Sequence, residues 1–404
     1  MLGGIIIILL STLAAFSMIS ALKRRFEFIE VSLLQRLFFF HLALAFTYYL
    51  YATFNPSDSV AYYFKISDNF RGEKWSDYYG TSTIFVEFIG YPFIKYLNFS
   101  YEAIMALYAF FGFVGFLYVY IFIKEHIRFK HTLFGVDLIT IILFLPNLHF
   151  WSSSLGKGSV IFMGIGIFFY GISNIPKRWI SILVASLIIY HIRPHIMLVM
   201  LASAAIGFVF TTKGLSWVVR LFFVIGVSVA FYFIYSDVLS MVGIDEGEFL
   251  TQGFDLTHRA TELTKATSGI DITSYSLPFQ VFTFLYRPLF FDAPGLLGLI
   301  VSFENVFYLL ITLRLLTIGG INYLITSNFL VKTALFSFLT VTIALAQISG
   351  NLGLAIRQKS QVMILFLFVI LSFLDKQKLL AYQQAMWKHV RKARLTKLQK
   401  ETTP

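Results

Sequence analysis

The chain has 404 residues, 58% of them from the apolar set AVILMFWYC, with 18% aromatic, only 13% charged and a mean hydropathy of +0.77. A soluble globular chain carries ~25% charged residues and arranges its apolar residues in periodic stripes, so these figures exclude a soluble enzyme and predict a polytopic membrane protein. The excess of 32 Lys and Arg over 21 Asp and Glu fits orientation in a bilayer better than nucleic-acid binding, and the lack of any cysteine removes disulfides, thiolate nucleophiles and thiolate metal sites.

Apolar runs of helical length lie near 1–22, 37–54, 101–123, 133–148, 159–175, 180–192, 195–212, 217–236, 295–313, 329–348 and 361–375. They predict an all-α bundle of about eleven spans. The first run ends in Lys23-Arg24-Arg25 with no basic segment before it and no small-residue cleavage site, which predicts a retained helix, not a secretory signal. Pro194 is expected to split 180–212 into a helical hairpin around Ile192-Arg193-Pro194-His195, one long helix being the alternative.

The positive-inside rule orients the bundle, because one threading places about two thirds of all Lys and Arg on the cytoplasmic side. In it the N terminus is outside and the C terminus inside. The outer side then holds two larger loops, about 55–100 and 237–285, the second acidic through residues such as Asp245, Glu246 and Glu248. Within the first, Ile84 to Leu97 is apolar but short and broken by Glu87, Pro92 and Lys95, which predicts a re-entrant or interfacial segment. Residues 1–375 are expected to form one transmembrane domain. The tail from 376 to 404 spaces Leu379, Tyr382, Met386 and Val390 helically between basic residues, as expected of a helix lying on an anionic inner leaflet.

Polar groups at membrane depth are costly and mark function, and here they collect at turns that the threading puts on the outer face. His149 to Gly158 includes Ser152, Ser153, Ser154 and Lys157. His191-Ile192-Arg193-Pro194-His195 forms the next outward turn, Tyr286-Arg287-Pro288 precedes a span, and Asn351 to Lys359, with Arg357 and Gln358, enters the last one. Arg193, Arg287, Arg357 and Lys157 violate the positive-inside bias. Guanidinium forks match paired phosphate oxygens, so converging arginines at the lipid boundary suit a lipid-borne pyrophosphate. Snorkelling, or pairing with Asp292 or Glu304, is the plainer alternative.

His191 and His195 would share a face of a continuous helix, but Pro194 breaks it and no carboxylate stands nearby, so a metal site is not expected. His195 could bond a sugar hydroxyl, move a proton, or simply pack. Asp58 could act as a general base on an acceptor hydroxyl or cap a helix starting at Ser59. Ser152 to Lys157 lacks the full phosphate-loop pattern and no strand precedes it, which argues against ATP hydrolysis.

In order along about 55–360, Phe144-Leu145-Pro146, Trp151-Ser152-Ser153, Gly156-Lys157, Arg193-Pro194-His195, Arg287-Pro288-Leu289, Glu304-Asn305, Asn351 with Gly353, and Arg357-Gln358 resemble the motif series of Wzy-type polysaccharide polymerases. Leu289-Phe290-Phe291-Asp292 departs from the more acidic and aromatic run expected there. The resemblance implies a membrane glycosyltransferase of the broad C type (GT-C-like) in the bacterial inner membrane. It would join repeat units carried on undecaprenyl diphosphate at the outer face, with no cofactor, no nucleotide sugar and no metal. Its partners would be the lipid-linked glycan, membrane lipids and a chain-length regulator. Carried over, Arg193, Arg287 and Arg357 bind diphosphate, Lys157 assists, and His195 or Asp58 serves the acceptor. Ser153, His191, Glu304, Asn351 and Gln358 complete the expected substrate site. An O-antigen ligase, with the same chemistry on a lipid A core acceptor, and a polysaccharide flippase are the competing readings.

Overall fold

The computed structural model describes residues 2–211, 216–222, 225–226, 228–229, 232, 270–272, 274–293 and 295–401, with Leu2 and 392–401 described for backbone alone. Nearly half of the expected span at 217–236 and most of the outer loop at 237–285 lie outside them. The described chain is almost entirely helical: α1 (Leu2–Arg25), α2 (Val31–Phe54), α3 (Asp58–Ser67), α4 (Thr83–Tyr91), α5 (Tyr101–His126), α6 (Leu138–Leu143), α7 (Pro146–Ser152), α8 (Lys157–Ile172), α9 (Ile175–Ile192), α10 (Pro194–Thr211), α11 (Leu277–Tyr286), α12 (Gly295–Leu315), α13 (Ile318–Thr326), α14 (Phe329–Ile348) and α15 (Leu352–Glu401). Seven of the described helices are long and apolar enough to cross a bilayer: α1, α2, α5, α9, α10, α12 and α14.

The core is built around α5, which packs against α1, α2 and α8. Glycine sets the α5–α8 distance. A Cβ on Gly115 would stand 2.7 Å from the Phe162 ring and 3.0 Å from the Met163 backbone, and one on Gly166 would stand 2.8 Å from the Gly115 carbonyl. The two backbones therefore touch, which is how helices associate where lipid offers no hydrophobic driving force.

The segment expected to cross near 133–148 is instead broken. Thr132–Leu133 and Val136–Asp137 pair as a short antiparallel hairpin, with Phe134 and Gly135 both at positive φ in the turn. Two short helices follow, because Pro146 lacks an N–H and suits the first turn of a new helix, not the middle of an old one. Gly112 allows α7 to press on α5, since a Cβ there would stand 1.9 Å from the Ser152 carbonyl.

At 192–195 the chain does form two helices. Arg193 leaves helical geometry at φ −152° and ψ 84°, α9 packs on α8, and α10 packs on α14. The basic tail is the uninterrupted continuation of the last helix. Its exit is held at Asp375, which accepts the backbone N–H of Arg128 at 2.9 Å and Phe129 at 2.7 Å, and at Lys378, which donates to the Lys130 carbonyl at 2.8 Å.

Candidate functional site

The linker after α2 turns sharply into α3. Ser57, not Asp58, caps that helix by accepting the Ser59 N–H, and a hydroxyl chain from Tyr48 through Ser57 and Ser59 to Tyr101 fixes the turn at 3.1, 2.8 and 2.8 Å. Relieved of capping, the Asp58 carboxylate accepts from Arg357 at 2.6 Å, across 299 residues of sequence. The Arg357 guanidinium also lies over the Trp151 ring, 5.5 Å from its centroid. Gly158 closes the turn behind Trp151, whose carbonyl is only 2.1 Å from where a Cβ would sit.

Arg193 stands within electrostatic reach of Arg357 and Tyr62 at this same end of the bundle. It is half-buried and makes no ion pair among the described residues. Burial, and then the like charge of Arg357, push its guanidinium down to about 10. Guanidinium keeps its proton at any relevant pH, so the cost of holding Arg193 within reach of a second guanidinium remains as a demand for an added anion.

Three further expected residues adjoin this cluster. Lys157 donates to the Ser82 hydroxyl at 2.8 Å, Ser82 donates its N–H to the His191 carbonyl at 2.6 Å, and His191 shares a 3.0 Å hydrogen bond with the Tyr79 hydroxyl. His195 is the second residue of α10, two residues beyond Arg193. Beside Trp151 opens an apolar groove of about 340 Å³ between α2, α7, α12 and α15, lined by residues that include Tyr51, Phe150, Trp151, Val301 and Ile356. One of its lining residues, Ile356, is the chain neighbour of Arg357.

Arg287 belongs to a second cluster. It donates to Asp292 at 2.5 Å, and Asp292 also accepts the Leu289 N–H, so the acidic residue closes the 287–292 turn. No described contact joins Arg287 to Arg193 or Arg357. Behind it lies Lys359, which the sequence reading did not single out as a site residue. Fully buried, it donates to the Leu285 carbonyl at 3.0 Å, the Arg287 carbonyl at 3.1 Å and the Asn305 side chain at 2.6 Å. Glu304, also buried, accepts the Asn147 N–H at the start of α7 at 2.6 Å.

The other expected substrate ligands face protein. Ser153 is fully buried and returns its hydroxyl to the Phe150 carbonyl at 3.1 Å. Asn351 accepts the Leu354 N–H at the head of α15, and Gln358 accepts from Ser349. A buried pair also went unnoticed in the sequence: His41 and His149 share a 2.9 Å hydrogen bond that ties α2 to α7. Among the described residues, no group of three or more His, Asp or Glu side chains is placed to hold a metal.

No family model, curated protein or solved structure matches this chain.

Proposed function

We propose that the protein is a Wzy-type polymerase of the bacterial inner membrane, joining oligosaccharide repeat units carried on undecaprenyl diphosphate at the outer face. The observation that carries this reading is that Arg193 lies within electrostatic reach of the Arg357–Asp58 ion pair, and that an apolar groove is lined by Ile356 and Trp151 next to Arg357. A lipid-borne diphosphate asks for both halves of that arrangement. The groove suits a hydrocarbon chain, and two neighbouring guanidinium groups, of which only Arg357 pairs with a carboxylate, suit a dianionic head.

In this mechanism the growing chain is the donor. An acceptor hydroxyl attacks its anomeric carbon, the bond to the lipid diphosphate breaks, and negative charge builds on the departing phosphate oxygen. Arg193 and Arg357 stabilise that charge, and Lys157 contributes from the Ser82 side. Once the diphosphate engages Arg357, Asp58 is released from its ion pair and takes the proton of the attacking hydroxyl. The activity of the base is thereby tied to donor binding. Arg287 holds the 287–292 turn behind the site.

The test is the pattern of lipid-linked glycan in the producing strain. Losing one donor of this kind costs roughly 10²–10³ in rate, so Arg193→Ala and Arg357→Ala should each abolish long polymer while single lipid-linked repeats persist. A ligase would instead leave polymer on undecaprenyl diphosphate and none on lipid A core. Loss of repeats from the outer leaflet with polymerisation intact would point to a flippase, and normal polymer in both variants would refute the reading.

A further inference from the structure

The loop between α2 and α5 carries a row of rings that ends on His191 of α9, beside the cationic cluster. Trp75 stacks on Phe88 at 4.9 Å and 19°, Phe88 on Phe85 at 5.8 Å and 16°, and Phe85 on His191 at 4.5 Å and 27°. Tyr79 meets Phe88 edge-on at 5.4 Å while its hydroxyl holds His191. The Trp75 indole N–H donates to the Phe88 carbonyl at 2.8 Å, so the ring is clamped in place. One of its faces is covered by Phe88, yet Trp75 remains 40% and Tyr79 62% exposed. Rings fixed this firmly and left open are unusual for a residue that merely packs, because nothing on the exposed side rewards the ordering.

We infer that Trp75, Tyr79 and the rings beneath them form a glycan-binding platform that leads into the Arg193–Arg357 cluster. Two observations select a sugar over lipid as the occupant. Glu73, Lys74, Ser76 and Asp77, the immediate neighbours of Trp75, are all exposed, and placing those charges in hydrocarbon is costly. A pyranose also offers what this surface asks for: an apolar C–H face to lie on the indole and hydroxyls to bond the mixed-charge rim. The direction comes from His191, which ends the stack, accepts the Ser82 N–H through its carbonyl and stands two residues before Arg193. A chain lying along the rings therefore points its end at the cations. This inference rests on the proposed transferase reading, since it assigns the path of the glycan to that site.

The test is a full-length protein whose only tryptophan is Trp75, with Trp151, Trp179, Trp217 and Trp387 replaced by Phe, in lipid nanodiscs. The probe is a set of short oligosaccharides from partial acid hydrolysis of the producing strain's surface polysaccharide. Saturable change in Trp75 emission is expected, weakened roughly three- to tenfold by Tyr79→Ala and nearly unchanged by Arg357→Ala. No change in emission, or quenching by phospholipid with brominated chains in place of aqueous acrylamide, would overturn the platform and make these rings a bilayer anchor. Polymer of normal length from a Trp75→Ala, Tyr79→Ala strain would overturn the platform alone. Oligosaccharide binding at Trp75 in a chain that polymerises nothing would instead defeat the transferase reading.

Discussion

Replacing Lys359 by Met tests the interior of the site end most directly. Methionine has nearly the length and volume of lysine, so packing changes little and the effect is polar. The ammonium has three N–H groups and all three are used, on the Leu285 and Arg287 carbonyls and the Asn305 side chain. Each acceptor left without a donor in a dry interior costs ~1–3 kcal/mol. Against this stands relief from burying an ammonium, several kcal/mol in a protein interior. The nearby buried Glu304 then loses its compensating charge, and removing one member of a buried charged set typically costs ~3–5 kcal/mol net. Lys359→Met should therefore lower the midpoint of thermal unfolding in detergent by about 4–6 °C, measured as the folded fraction surviving heating. Ser360→Ala is the control. Ser360 is as enclosed, but donates only to the Arg357 carbonyl one turn back, so its loss should cost under ~1 kcal/mol. If the two variants melt together, Lys359 does not brace the end of α11, the Arg287 turn and α12.

Gly112→Ala should destabilise by ~1–3 kcal/mol and displace α7, because its Cβ would meet the Ser152 carbonyl at 1.9 Å; unchanged melting would refute the close approach. Arg193→Lys should polymerise near neutral pH and lose activity as pH rises, while the wild type does not. The same burial and the same Arg357 charge that push Arg193 down act on a weaker base, whose charged form exists only below its lowered pKa. A parallel alkaline profile in both proteins would refute that account. Trp151→Phe should retain most activity and Trp151→Leu should lose more, since only an aromatic face can hold the Arg357 cation; equal activities would remove the ring from the site. Single cysteines at Ser76 and Gln384, both exposed, should react from outside and inside respectively with an impermeant reagent in spheroplasts, and the reverse result would invert the orientation.

Hydropathy made the long helices legible, because a bilayer imposes their length and composition whatever they pack against. The break at 138–152 escaped that signal: α6 and α7 are apolar enough to read as one span, although Phe134-Gly135 and Pro146 were punctuation in plain view. At the site, Arg193, Arg357 and Asp58 were readable one by one as costly charges. Their meeting was not, since the 299-residue separation of Asp58 and Arg357 leaves no local trace. Arg287 illustrates the reverse. It violated the same charge bias, and its partner Asp292 stood five residues away as the plainer alternative had it. Lys359 carried a usable signal, a lysine at the threshold of a long apolar run, but which carbonyls it would meet depended on α11 and α12 arriving beside it.

The unbroken course of α15 has a mechanical consequence. A helix of 50 residues is about 75 Å long, of which about 39 Å extends past Asp375. Arg357 sits in its second turn, so the cation that grips Asp58 and the remote basic end ride on one strut. A tilt of about 5° around the midpoint carries each end roughly 3 Å, in opposite directions. That is enough to part a 2.6 Å ion pair. The collar at Arg128, Phe129 and Lys130 is the bearing on which such a lever turns. Whatever steadies the far end steadies the guanidinium at the other.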